Sequence, residues 1–272
     1  MTDRAERIHT GIWREDADPA DPFVAERCLC RGYDVYGEIL PRAGWSEYLF
    51  LLLRGERPAA AQARLLERLA IGLANPGPRD PSVRAAMNAG VARTPAAAML
   101  SAALAVGAGQ FGGGHEVYRA MCGMLASEGR LDAWAAAPDG DTGEDGRADI
   151  WLSMEHPAGF DPHAARCGLP VQQLLACLVD TAGDAHGWLA WLQRNREEME
   201  RRVGAVLAVP GVAAAALLEL GFDPAAGEML YLLLRLPGAA AHALEQAGGT
   251  YRRYPFFHGQ VHRAGQSGQQ EE

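Results

Sequence analysis

Lysine is absent from the sequence: all 25 basic residues are arginine. With no ε-amino group, the chain has no Schiff-base lysine and no P-loop lysine. The arginine- and alanine-rich composition serves here as an exclusion and not as a functional signal. Positive charge is scarce overall, 25 basic against 34 acidic residues for a net charge of -9. A polyanion needs a basic face to release its counterions, so nonspecific nucleic-acid binding is not expected, although a local arginine cluster still suits a compact anion. Cysteine is sparse. The five, at 28, 30, 122, 167 and 177, are scattered, odd in number and without CxxC spacing, which fits a reducing compartment. Cys28 and Cys30 read as packing residues and no metal is expected, because no second pair completes a site. No stretch reaches the roughly 20 uninterrupted apolar residues of a membrane span. The N-terminal residues are polar and acidic, without an arginine-flanked apolar run, so neither signal peptide nor membrane is expected and the location expected is cytoplasmic. Alternating Val/Ile/Thr strands are essentially missing as well.

What is present is hydrophobic material for a core, 49% of 272 residues, arranged with apolar residues at i, i+3 and i+4. The spacing predicts an all-α fold with helices near 21–40, 44–54, 59–74, 80–92, 94–109, 112–127, 170–201, 211–221 and 225–247. Asp80-Pro81 and Thr94-Pro95 mark starts, each a capping side chain before a proline preset for the first turn. Gly55, Gly129 and Gly221 mark stops, where a left-handed residue costs nothing. The acidic stretch Pro138–Asp149 reads as a solvated loop: a calcium loop needs glycine at its sixth position, where Glu144 stands. Residues 261–272 are polar and Gln/Gly/Ser-rich and are expected to fray.

Several segments carry a family likeness. Arg31-Gly32-Tyr33-Asp34 and the run Trp45 to Pro58, an E-x-x-x-LL helix closed by Gly-Glu-x-Pro, are similar to the amino-terminal signature of citrate synthases and citryl-CoA lyases. Gln110-Phe111-Gly112-Gly113-Gly114-His115-Glu116 resembles the RFGGA helix start of ATP-citrate lyase. Met154-Glu155-His156-Pro157 with Asp161-Pro162 resembles the GHP...DPR segment, and Leu234 to Gln246 resembles the GR-x-x-G-x-x-AH-x-x-EQ helix, trailed by Tyr251-Arg252-Arg253-Tyr254-Pro255. Their order is the family's. The chain thus resembles the short, citryl-CoA lyase-like branch of the citrate synthase superfamily. The resemblance implies a large helical domain (1–112 and 209–260), a smaller inserted helical domain (113–208), a CoA thioester in their cleft, a homodimer through the central helices, and an acyl-CoA and a keto acid as small-molecule partners. No cofactor is implied beyond the thioester substrate itself.

The resemblance also assigns roles. A carboxylate removes a proton next to the thioester, one histidine bonds the enol oxygen, another polarises the keto-acid carbonyl, and arginines clamp carboxylates. His156 matches the carbonyl-side histidine. Arg235 matches a carboxylate-binding arginine, on an otherwise leucine-rich helix where an unpaired guanidinium would be costly. Arg252 and Arg253 match the arginine tail, and Gly112 and Gly113 offer helix-start amides to an anion. His242, two turns beyond Arg235, reads as packing. The departures are as informative. Phe111 stands where the synthases' enol-side histidine belongs, leaving backbone amides, water or His115 for that task. Ala208-Val209-Pro210-Gly211 aligns with the segment that carries the base, and Pro210 cannot accept a proton. A displaced base such as Asp223 or Glu219 is then required, and His163 replaces the arginine of the DPR segment. Three readings follow: a carbon–carbon lyase or condensing enzyme with a degenerate catalytic set, a noncatalytic module that binds a CoA ester or assembles with a partner, or a purely structural helical protein.

Overall fold

The computed structural model describes residues 10–134 and 154–249. It opens with a small antiparallel meander, β1 (Trp13–Ala17), β2 (Ala25–Cys30) and β3 (Tyr33–Asp34), in that order across the sheet. Arg31 and Gly32, both at positive φ (51° and 89°), make the two-residue hairpin that pairs Cys30 with Tyr33. Asp16 and Arg27 face each other on β1 and β2 and bond at 2.8 Å. A single π-helical turn follows at Val35–Ile39, capped by the Asp34 carboxylate on the Tyr36 and Gly37 amides. The helix expected over 21–40 is therefore a strand pair. Its apolar residues fit either period, and the deciding partner, β1, lies in a polar stretch that carries no helical or strand signature.

The helices then run in order: α1 (Trp45–Arg54), α2 (Ala60–Leu73), α3 (Pro81–Val91), α4 (Ala96–Gly107), α5 (Gly114–Ser127), α6 (Leu169–Ala182), α7 (Trp188–Val203), α8 (Val209–Glu219) and α9 (Pro224–Gly248). A two-stranded ladder, β4 (Phe160–Asp161) with β5 (Val206–Leu207), sits between them. The all-α expectation holds for the bulk of the chain. The single helix expected over 170–201 is two, because Gly183 closes α6 in the left-handed conformation and Gly187 opens α7. Asp80 caps α3 as expected, its carboxylate accepting the Ser82 N–H. Thr94 instead donates its hydroxyl to the Ala89 carbonyl of α3.

The described chain separates into two compact units. The first comprises the chain through Ala74 together with Ala108–Arg235, and the second comprises Asn75–Gly107 with the chain from Leu236 onward. The resemblance implies domain boundaries at 112/113 and 208/209, and the expected frayed tail lies outside the described residues. In the first unit α8 is the innermost helix, every residue from Pro210 to Leu218 being buried. It packs against α2, α5, α6 and α7. A helix that is apolar all round has to be enclosed, and its alanines let neighbours come close. The second unit packs α3, α4 and the last part of α9 around Val83, Ala86, Met99, Ala103, Ala239 and Ala243. Among the described residues no helix is long and apolar enough to cross a membrane.

Candidate functional site

The Phe-Gly-Gly turn before α5 is held from several sides. Gly112 takes φ +66°, which a glycine adopts without steric cost. Its carbonyl accepts hydrogen bonds from Tyr231 Oη (3.0 Å) and Arg235 Nη1 (2.6 Å), both on α9. The Arg235 guanidinium also lies over the Tyr231 ring, 4.8 Å from its centroid. The Gly112 N–H donates to Glu116 Oε2 at 2.5 Å. Glu116 belongs to the first turn of α5, where the helix dipole favours a carboxylate. Its other oxygen accepts the Gly159 N–H at 2.9 Å and lies 3.4 Å from His156 Nε2. With side-chain exposures of 2% and 7%, Glu116 and His156 form a buried pair. One carboxylate thus joins the glycine turn, the 157–159 loop and His156.

That loop reaches α8 through two glycines. A Cβ on Gly159, which sits at φ +88°, would come within 2.8 Å of the Gly211 Cα, and one on Gly211 within 2.6 Å of the Gly159 carbonyl. The Ala208 N–H donates to that same carbonyl at 3.0 Å. Beside this contact is a cavity of about 320 Å³, walled by the turn at Phe111 and Gly112 with Glu116, by β4 and the loop to Gly168, by Val171, and by Val206–Pro210. The starts of α6 and α8 lie on its wall, and no side chain caps either one. Among the described residues the charged groups on the wall are Glu116, Asp161 and Arg166. Asp161 Oδ1 accepts the N–H groups of His163 (2.8 Å) and Ala164 (3.3 Å), and its second oxygen has no hydrogen bond among the described residues. Arg166 is exposed and makes no ion pair among the described residues. Next to it, burial pushes the Cys167 thiol up, and the Glu200 carboxylate adds to the shift. The sulfur therefore stays protonated and is not a nucleophile.

The residues singled out in the sequence divide accordingly. His156 and Arg235 both engage the Phe111–Glu116 segment, one through Glu116 and the other through Gly112, yet neither is on the cavity wall. His115 is buried in α5 with its ring stacked on Tyr118 at 6.3 Å, also off the wall. The Gly112 amide expected to receive an anion is already committed to Glu116, and Gly113 is the N-cap of α5. His163 is exposed, its ring 5.9 Å from that of Phe111. Asp223 is an exposed N-cap whose carboxylate accepts the Ala226 N–H of α9 at 2.8 Å; it is not on the wall. Glu219 accepts the Leu189 N–H at the start of α7. The carboxylates that do reach the cavity, Glu116 and Asp161, belong to the quoted motifs but are given no role by the resemblance. Arg252 and Arg253 lie outside the described residues. Among the described residues no three His, Cys, Asp or Glu side chains gather as a metal site.

Neither a protein-family model nor a curated protein sequence matches this chain. Solved structures do. Citryl-CoA lyase from Hydrogenobacter thermophilus superposes with a TM-score of 0.68 at 19% identity, covering 98% of each chain. The ATP citrate lyase of Methanosaeta concilii, a D541A mutant in complex with (3S)-citryl-CoA, gives 0.67 at 16% identity, covering 93% of this chain and 41% of that one. ATP citrate lyase from Methanothrix soehngenii, in complex with citrate and coenzyme A, gives 0.67 at 18% identity with the same coverage. At such identities the likeness speaks to architecture, and on it the chain has the helical citrate synthase-like fold over nearly its whole length.

Proposed function

We propose that this protein acts on a CoA thioester as a citryl-CoA lyase-like enzyme, breaking or making a carbon–carbon bond between an acyl-CoA and a keto acid. The observation that carries the reading is convergence. Segments far apart in sequence, the glycine turn at Phe111 and Gly112, the stretch around Asp161 and the helix start at Ala208–Pro210, meet around one cavity. In this reading Asp161 supplies the base that Pro210 cannot. In the cleavage direction its free oxygen takes the proton of the hydroxyl on the carbon β to the thioester. The carbon–carbon bond breaks, its electron pair passes to the thioester enolate, and the enolate carbon recovers the proton from Asp161. A keto acid and an acyl-CoA leave. The uncapped starts of α6 and α8 favour the developing negative charge, Arg166 holds a substrate carboxylate, and the Glu116–His156 pair fixes the wall.

Turnover of 3-hydroxyacyl-CoA substrates, with the keto acid followed as product, tests this directly. Asp161→Asn is expected to lower kcat by about a hundred- to ten-thousandfold, the usual worth of a positioned base, while CoA-ester binding persists. Pro210 at the position of the family's base favours a second reading, a noncatalytic CoA-ester-binding module. In that case a thermal shift with CoA esters is expected without product in the wild type.

A further inference from the structure

The wall that faces the acyl group is mostly hydrocarbon. Phe111, Phe160, Val171, Val206, Leu207 and Val209 account for most of it. Phe160 and Leu207 are deeply buried, so this part of the wall is a fixed apolar floor. Against that surface, among the described residues, stand one guanidinium, Arg166, and two carboxylates, Glu116 and Asp161. Glu116 cannot turn its charge away, because each oxygen is fixed by a backbone N–H, from Gly112 and from Gly159. His156 Nε2 lies 3.4 Å from Oε1, the same oxygen that accepts the Gly159 N–H.

A citryl group brings two free carboxylates. One can pair with Arg166, and the starts of α6 and α8 serve the enolate oxygen; among the described wall residues the other then lies against hydrocarbon or beside Glu116 and Asp161. A desolvated carboxylate without a hydrogen-bonded partner is strongly disfavoured, and like charges at close range disfavour it further. A hydrocarbon branch in the same place gains from burial. Resting on the reading of the site as a CoA-thioester site, we infer that the acyl group handled here carries a single carboxylate and an alkyl branch on its hydroxyl carbon. The substrate class is the CoA thioesters of 2-alkylmalic acids, and the keto acid partner is a 2-oxo monocarboxylic acid with an alkyl side chain. Arg166 grips the one carboxylate, and the valine- and phenylalanine-lined floor receives the branch.

Calorimetric titration of the full chain with free CoA, citryl-CoA, citramalyl-CoA and 2-isopropylmalyl-CoA tests the assignment. The two alkyl esters are expected to bind at least about tenfold more tightly than citryl-CoA, each additional buried methylene contributing about tenfold or more in an apolar pocket. Arg166→Gln, a change at an exposed position, is expected to weaken the alkyl esters about tenfold or more and leave free CoA unchanged. Citryl-CoA binding as tightly as the alkyl esters, or more tightly, overturns the inference while leaving the CoA-ester reading in place. Alkyl esters that bind equally well to Arg166→Gln overturn the single-carboxylate clamp. No binding of CoA or any of its esters overturns both the inference and the reading beneath it.

Discussion

Glu116 concentrates the site's internal order in one side chain. Its oxygens accept backbone N–H groups, one from half-buried Gly112 and one from buried Gly159, and the oxygen bound to Gly159 also lies beside the His156 ring. Removing the carboxylate leaves two donors without acceptors, at about 1–3 kcal/mol each. Glu116→Ala is therefore expected to lose about 2–5 kcal/mol of unfolding free energy in urea titration, and Glu116→Gln, which keeps one acceptor oxygen, a smaller part of that. A loss within 0.5 kcal/mol, the usual range for ordinary surface changes, would mean that the donors find other partners. At this scale the sequence was partly legible. The Gly-Gly turn and His156 stood out because rare backbone and imidazole chemistry attach to fixed motifs. Asp161 and Arg166 did not stand out as wall residues. The arginine comes three residues later than the Asp-Pro-Arg pattern places it, after His163, and only the loop that closes on the cavity brings it back. Glu116 was quoted within its motif, but its partners at Gly159 and His156 lie some forty residues away, beyond anything helical spacing can report.

At the scale of elements, helix ends explain what was readable and what was not. Gly55 and Gly221 stop their helices with positive φ, as their positions after apolar runs predicted. The break between α6 and α7, at Gly183 and Gly187, was missed because apolar residues at helical spacing continue on both sides of it. The compensation for that break is tertiary. The carboxylate of Glu219, the last residue of α8, accepts the Leu189 N–H and so caps α7. A Cβ at Gly187 would collide with this carboxylate. Burial raises the Glu219 pKa above the ordinary carboxylate value, against the lowering effect of the Leu189 and Trp188 amides. The folded state then holds this proton more tightly than the unfolded chain does. Its contribution to stability is complete below the ordinary carboxylate pKa and is lost as the pH rises through the raised folded value. Glu219→Gln is expected to flatten this part of the stability–pH curve, measured as urea midpoints from pH 4 upward. An unchanged slope would show that Glu219 titrates alike in both states.

On the scale of the whole molecule, the two units hold separate cores, and their cohesion has different origins. The first is built around α8, whose enclosure was legible as an all-apolar run, whereas its β-meander was not. The second depends on contact without side-chain bulk. Gly90 of α3 lies against the Ala243 carbonyl of α9, so closely that a Cβ there would collide with backbone. Backbone cannot rotate aside as a side chain can, so one added methyl has to push α3 from α9 or bend α9 itself. Gly90→Ala would gain helix propensity, worth about 1 kcal/mol at an open position. Here the overpacking cost, typically 1–3 kcal/mol and higher against rigid atoms, opposes it. The net expectation is a loss of stability confined to the second unit, because the core around Val83, Met99 and Ala239 includes no residue of the α8-centred core. Amide hydrogen exchange resolves the two. In Gly90→Ala, protection is expected to fall across α3, α4 and residues 236–248 while the amides of α8 keep theirs. An equal fall in α8 would mean that the chain unfolds as one cooperative body, and no fall anywhere would mean that α3 shifts at negligible cost.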